Sequence, residues 1–66
     1  MSTALTKTER KVMVLKAEGF YSSEIAIKLG SRKRTVETHL YNIYKKIGVR
    51  NLAELVKFVN ENDMKN

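Results

Sequence analysis

The sequence predicts an all-α fold, a bundle of four short helices with a helix-turn-helix at its centre. Apolar residues recur at helical spacing, no segment alternates as a strand does, and the chain contains no proline. With 66 residues the chain has room for one small core. We therefore expect one domain over 1–66, folded over about 5–60, with a polar tail at 61–66.

The composition excludes several classes of protein. The chain has no Cys and one His, so it forms no disulfide, and we expect neither a metal site nor a cofactor. No apolar run approaches transmembrane length, and the apolar fraction of 42% is that of a globular domain. The sequence offers no nucleophile–base pair, carboxylate pair or phosphate-binding glycine loop, so we predict that it is not an enzyme.

The excess of positive charge favours a polyanionic partner. Thirteen Lys and Arg residues stand against seven Asp and Glu, which gives a net charge of +6 and a pI of about 9.8. Nucleic acid is the first candidate and anionic lipid the second. The charge alone would equally suit a soluble domain kept apart from its neighbours by repulsion. Only the position of the basic residues on the helices can distinguish this interpretation from a nucleic-acid partner.

The first helix is predicted from a capping box at its start. The Thr6 hydroxyl can accept a hydrogen bond from the Glu9 N–H, while the Glu9 carboxylate accepts one from Thr6. The helix should run over about 7–18, and Gly19 suits the left-handed conformation that ends many helices. Its inward residues are expected to be Val12, Met13 and Leu15.

The second and third helices are predicted over about 22–29 and 33–47, ending at Gly30 and Gly48. Joined by so short a break, they form a helix-turn-helix. Small Ala26 lets the two helices approach closely, and Val36 lies inward early in the third helix. A generic helical hairpin would also use Ala and Gly, so the spacing favours a DNA-binding motif without requiring it. The inward residues of the second helix are expected to be Ile25, Ala26 and Leu29.

The fourth helix is predicted from a second capping box, formed by Asn51 and Glu54, and should continue to about Asn60. Its apolar stripe, which a domain of this size needs for its core, comprises Leu52, Leu55, Val56 and Val59. Phe58 lies off that stripe and is the candidate for a dimer contact.

The third helix divides into an apolar seam and a polar face. Six of the 13 basic residues lie between positions 31 and 50. At 100° per residue, the core seam comprises Val36, Leu40, Ile43 and Ile47. The opposite sector comprises Arg34, Thr38, Tyr41, Asn42 and Lys45. Since these are hydrogen-bonding groups of varied length rather than Glu–Lys pairs, we predict that this face binds phosphates and reads base edges.

Three blocks of residues together resemble the DNA-binding domain of the LuxR-type (GerE/FixJ) bacterial transcription regulators. They are Glu24-Ile25-Ala26, Thr35-Val36 with His39, and Lys46-Ile47-Gly48-Val49, and the resemblance extends from Leu5 to about Val59. It implies a third helix in the major groove of double-stranded DNA and a fourth helix that pairs two copies on inverted repeats. The stretch "THLYNIYKKI" also resembles regulators of the curli-activator type.

The resemblance implies site residues by position. The base-reading residues would be Glu37, Thr38, Tyr41, Asn42 and Lys45. The positions that match phosphate-binding residues are Ser22, Ser23, Thr35, His39, Lys46 and Arg50. Lys33 and Arg34, at the start of the third helix, are predicted to bind phosphate as well. The dimer interface is expected to comprise Glu54, Leu55 and Phe58. Glu37 can accept from a cytosine amino group or repel wrong sequences. Phe20 and Tyr44 are expected to be packing residues.

The chain departs from the family pattern at two helix starts. Arg32 stands where the family usually has a capping Ser or Thr, so the cap of the third helix is expected to move to Ser31. Tyr21 stands at the usual cap of the second helix, so Ser22 is expected to take that role. In the fourth helix, Leu52-Ala53 replaces a commonly polar pair.

The predicted function is sequence-specific binding of double-stranded DNA by a bacterial transcription regulator, as a homodimer that forms in solution or only on DNA. RNA polymerase or a partner regulator is a candidate further contact, and the expected location is the cytoplasm, at the nucleoid. The alternative is a module that binds and modulates another regulator with weak DNA contact. A membrane-surface helix is disfavoured because the polar face of the third helix adjoins no broad apolar strip apart from the residues that form the core.

Overall fold

The computed structural model describes residues 5–62, which form four helices and no strand. The helices are α1 (Lys7–Ala17), α2 (Ser22–Leu29), α3 (Lys33–Ile47) and α4 (Leu52–Glu61). The predicted bounds of α2 and α3 are the observed ones, and the predicted ends of α1 and α4 are each one residue away. Most of the predicted polar tail lies outside the described residues.

α1 is the central element of the bundle. It packs against each of the other three helices, and α2 packs in turn against α3. The buried core comprises Val12, Met13, Ile25, Ala26, Val36, Ile43, Leu55 and Val59. The partly buried apolar residues around it include Leu15, Phe20, Leu29, Leu40, Tyr44 and Ile47, which confirms the predicted packing role of Phe20 and Tyr44.

The first turn of α1 has the predicted capping box. Thr6 Oγ1 accepts from the Glu9 N–H at 3.0 Å, and Glu9 Oε1 accepts from the Thr6 N–H at 2.9 Å. Two of the N–H groups that a helix start leaves without a partner are thereby satisfied.

The starts of α2 and α3 correct two expectations. Tyr21, not Ser22, precedes the first turn of α2, and its N–H donates to Glu24 Oε1 at 2.8 Å. Arg32, not Ser31, caps α3, and its side chain makes no capping hydrogen bond. The Val36 N–H donates to the Arg32 carbonyl at 3.0 Å. The backbone and the burial of Val36 therefore set the start of α3, and no cap side chain is needed.

Two glycines fix where α2 and α3 end. Gly30 and Gly48 have φ of 66° and 74°, the left-handed region that side chains with a Cβ seldom adopt. After Gly30 the Ser31 N–H donates to the Ala26 carbonyl at 2.8 Å. The Gly48 N–H donates to the Tyr44 carbonyl at 2.9 Å. The turn of the helix-turn-helix thus closes as the sequence predicts.

α4 differs from its prediction in three respects. Asn51 Oδ1 accepts from the Glu54 N–H, but the Glu54 carboxylate accepts from the backbone N–H of Arg50, at 2.7 Å, rather than from that of Asn51. Leu55 is fully buried, so its predicted role in a dimer contact is wrong. Leu52, predicted to lie inward, is 42% exposed, while Phe58 is half-buried and packs against the core.

Candidate nucleic-acid interface

α3 buries one side in the core and exposes the other, as its helical spacing predicts. Val36 and Ile43 are fully buried on the inner side. Every member of the opposite sector, which we call the basic face, is exposed: Arg34, Thr38, Tyr41, Asn42 and Lys45. Glu37 is exposed beside it. All the residues predicted to read bases therefore lie on the outer side of one helix.

Tyr41 and Lys45 interact along this face. Lys45 Nζ lies 5.1 Å from the centroid of the Tyr41 ring, which is within cation–π range, and Tyr41 is 65% exposed. The contact limits the freedom of two long side chains before any partner arrives. Less conformational entropy is then lost when they bind.

Thr38 is held by its own helix. Its hydroxyl donates to the Arg34 carbonyl at 3.1 Å. Since the hydroxyl hydrogen is used, the side chain offers a partner its oxygen lone pairs and its methyl group. Those groups suit a base amino donor or the methyl group of thymine.

The start of α3 has the electrostatics of an anion-binding site. Its first turn contains no acid, the Arg32 side chain makes no capping bond, and Arg32, Lys33 and Arg34 are all exposed. Positive side chains at the positive end of a helix dipole are unfavourable in the free protein and complementary to a phosphate. Thr35 is exposed in the same turn.

The remaining residues predicted to bind phosphate lie outside the basic face. Ser22 is half-buried and Ser23 exposed at the start of α2, where the Glu24 carboxylate already accepts from Tyr21. His39 is half-buried on α3, and Arg50 is exposed in the turn before α4. The start of α2 is therefore less open to an anion than the start of α3.

Lys46, also predicted to bind phosphate, is paired with an acid of α1. Its Nζ lies 2.8 Å from Glu9 Oε1, with 35% of the lysine side chain exposed, and Glu9 is 5% exposed. The hydrogen bond from Lys46, and after it the one from Thr6, holds the pKa of Glu9 below its ordinary value against the opposing effect of burial. This ammonium group is therefore bound to α1 and is not a member of the basic face.

Sequence reasoning missed the second role of Glu9, which it treated only as part of a cap. A signal for it exists, because Glu9 stands three and four positions before the inward residues Val12 and Met13. An acid on the inner side of a helix needs a cation. Nothing local in the sequence identifies that cation as Lys46.

α2 and α4 each expose apolar side chains. Ile27 and Tyr21 are 82% and 71% exposed, and neither was singled out as exposed from the sequence. On α4 the most exposed large apolar residue is Leu52, with Glu54 also exposed. Phe58 and Glu54 lie on one flank of the buried stripe, and Leu52 lies on the other.

Within residues 5–62, no group of three or more His, Cys, Asp or Glu side chains is placed to hold a metal ion. No helix in that part of the chain has the length and apolarity needed to cross a membrane.

Comparison with known proteins gives a clear relationship. The family described as "Bacterial regulatory proteins, luxR family" matches residues 3–59. The chain is 39% identical over 61 residues to the "CsgBAC operon transcriptional regulatory protein" of Escherichia coli and to the "Probable csgAB operon transcriptional regulatory protein" of Salmonella typhimurium. These alignments cover 92% of this chain and 28% of each relative.

The "Transcriptional regulatory protein UhpA" of Escherichia coli is 43% identical over 53 residues, which cover 80% of this chain and 27% of that protein. The chain therefore spans little more than a quarter of the length of these relatives. No solved structure matches it significantly.

Proposed function

The chain belongs to the LuxR family of bacterial regulatory proteins, and from this premise we propose that it binds specific double-stranded DNA sites through α3. Its relatives are named as transcriptional regulators. Its function is accordingly the regulation of transcription through a DNA-binding helix-turn-helix, and it is not an enzyme. The finer features, which are the contacts, the dimer and the form of the site, are inferred below.

The observation that carries the proposal is the two-sided character of α3. One side is in the core, and the other exposes the five hydrogen-bonding residues of the basic face. A helix with its side chains is about 10–12 Å across, close to the width of the major groove. Of the exposed residues, Asn42 has the groups for adenine, Lys45 for guanine and Glu37 for a cytosine amino group.

Phosphate contacts are assigned around this face. Lys33, Arg34 and Thr35 at the start of α3 have the most favourable setting, because the positive end of the helix dipole and the cations act together there. Further phosphate contacts are assigned to Ser22, Ser23, His39 and Arg50. About 4–6 phosphate contacts per domain would give a slope of log affinity against log salt of roughly −4 to −5.

The bound form is proposed to be a homodimer on an inverted repeat, paired through α4. A two-fold dimer presents the same patch from each copy. Glu54 is exposed and Phe58 is half-buried, and they share one flank of α4, so they are the proposed dimer residues; Leu52 lies on the other flank. RNA polymerase or a partner regulator remains a candidate second contact. The location that this function requires is the cytoplasm, at the nucleoid.

The alternative, a module that binds another regulator, drew support from the unusual residues Arg32 and Tyr21. Both residues take the cap positions, and α2 and α3 begin where an ordinary cap would start them. The departures therefore leave the geometry of the helix-turn-helix intact, which favours DNA binding over the alternative.

A double substitution tests the proposal. Thr38→Ala with Tyr41→Ala should abolish preference for the selected DNA site, because both side chains are exposed on the basic face. A control is Thr8→Ala with Lys11→Ala on the exposed side of α1, which should leave the preference intact. Unchanged preference in the first variant would contradict recognition through α3 and favour the interaction module.

A further inference from the structure

One carboxylate oxygen joins the first turn of α1 to the last turn of α3. Glu9 Oε1 accepts from Lys46 Nζ at 2.8 Å and from the Thr6 N–H at 2.9 Å. Glu9 is 5% exposed, so its carboxylate is screened little by water, whereas 35% of the Lys46 side chain is exposed. The two helices are thus connected by a directional contact in addition to apolar packing.

This contact constrains α3 in a way that apolar packing does not. Rotating or sliding α3 against α1 would break a hydrogen bond to a nearly buried charge, which is costly because water is poorly placed to replace it. Apolar contacts lack such direction. The rotation of α3 about its own axis decides which side chains meet base edges. The Glu9–Lys46 pair therefore helps to determine which side chains of α3 face the bases.

We propose that Glu9 is a positioning residue for DNA recognition, and that Lys46 acts in DNA binding through Glu9 rather than by contacting a phosphate. This inference rests on the DNA-binding function proposed above. It assigns a DNA-binding role to a residue of α1, outside the helix-turn-helix, and removes Lys46 from the set of phosphate-binding residues.

The two roles of Lys46 predict opposite results for Glu9. If Lys46 contacted a phosphate, removing the neighbouring negative charge would strengthen binding to all sequences. If Glu9 positions α3, removing it should weaken binding to the preferred site, although the net charge rises by one. The salt dependence separates the roles again, because each phosphate contact contributes about 0.9 to the slope.

The experiment is a cycle of Glu9→Met, Lys46→Met and their double variant. The control is a second cycle in which Lys45→Met takes the place of Lys46→Met. Replacing both partners of a buried pair by apolar residues is often close to neutral for stability, so the double variant is expected to fold. Affinity for the selected site is measured at several salt concentrations, and the selection from random DNA is repeated for each variant. All measurements are made at a temperature at which thermal unfolding shows each variant folded. Should Glu9→Met not fold, Glu9→Gln takes its place.

Each single variant of the pair should lose roughly 5- to 100-fold in affinity for the wild-type site, comparable to the loss of one base contact. Its sequence preference should also change. Lys46→Met should keep the wild-type salt slope. The affinity of the double variant for the site should be no lower than that of the single variant that binds less tightly. The effect of Lys45→Met should instead add to that of Glu9→Met, because Lys45 belongs to the basic face.

Three results would overturn the inference: unchanged or tighter binding in folded Glu9→Met, a slope reduced by about 0.9 per domain in Lys46→Met, or additive losses in the double variant. These results concern the variants alone and leave the proposed function standing. Failure of the wild-type protein to select any DNA sequence would overturn the proposed function, and the positioning role with it.

Discussion

Lys46 Nζ lies 2.8 Å from Glu9 Oε1, although the two residues are 37 positions apart in the chain. The contact ties the helix proposed to read DNA to the helix at the centre of the bundle. A lysine that the sequence assigns to the DNA surface is therefore also part of the scaffold, which changes what its substitution should do.

Lys46→Ala should destabilise the fold by about 2 kcal/mol, because it leaves the nearly buried Glu9 carboxylate without its cation. Lys57→Ala is the matched control, since its Nζ lies 4.0 Å from Glu61 Oε2 with both side chains exposed. That pair is worth less than about 0.5 kcal/mol. Equal losses for the two variants in chemical denaturation would show that the Glu9–Lys46 pair has no special role in stability.

Stability should depend on acid pH through Glu9. The hydrogen bond from Lys46 lowers the pKa of Glu9 in the folded state, whereas the unfolded chain has the ordinary value of 4.5. The stabilisation is thus complete above pH 4.5 and is lost as the pH falls from there through the lowered pKa. Chemical denaturation of wild type and Glu9→Gln across this pH range separates the contribution of Glu9 to the pH dependence of stability from that of the other acids. The wild type should lose more free energy of unfolding than the variant, and parallel curves would contradict the assignment.

Gly48→Ala should cost about 1 kcal/mol of stability. The strain comes from the backbone, since Gly48 has φ of +74° and an added Cβ would meet nothing within 4 Å. Gly48→Asn should lose less, because asparagine tolerates the left-handed region better than alanine. Thermal unfolding checks the order, and an alanine variant as stable as the asparagine variant would contradict it.

Phosphate and base contacts should be separable on α3. Lys33→Ala should weaken binding to all sequences nearly equally and reduce the salt slope by about 0.9 per domain. Tyr41→Ala should instead change the preferred bases. Titrations of each variant with the selected site and with a scrambled duplex, at several salt concentrations, give both quantities. A changed base preference in Lys33→Ala would mean that the two kinds of contact are wrongly assigned.

α4 should carry the dimer contact on the flank that Glu54 and Phe58 share. Phe58→Ala is expected to weaken binding to a two-fold site far more than to a half-site. Leu52→Lys is the control on the opposite flank: it should leave the monomer folded, because Leu52 is 42% exposed, and should affect the two DNAs alike. Leu55→Lys should unfold the domain, because Leu55 is fully buried. Circular dichroism with titration on full and half sites tests both. Equal losses of Phe58→Ala on the two DNAs would place the dimer contact elsewhere.

Local signals in the sequence predicted the helices well. The Thr6–Glu9 box, Gly30 and Gly48 mark helix ends by short-range chemistry, and the bounds of α2 and α3 followed. The basic face followed from helical spacing alone. The caps at Arg32 and Tyr21 were not predicted, because neither residue type is favoured at a helix start. The burial of Val36 and Ile25 fixes where these helices begin and outweighs that preference.

Long-range relationships were not accessible in the same way. The partner of Glu9 depends on how α3 crosses α1, which no local pattern encodes. On α4, spacing placed Leu52 and Leu55 in one stripe, but Leu52 is 42% exposed while Leu55 is fully buried. Spacing gives the direction of a side chain and not how far the neighbouring helices cover it.

The measurement that bears most directly on the central claim is a selection from randomised double-stranded DNA at about physiological salt, scored for enriched motifs. Recognition through α3 by a homodimer predicts an inverted repeat whose half-site spacing gives the geometry of the dimer. Enrichment of no motif, with binding that disappears as salt rises, would mean that the basic face only follows phosphates and would contradict sequence-specific recognition.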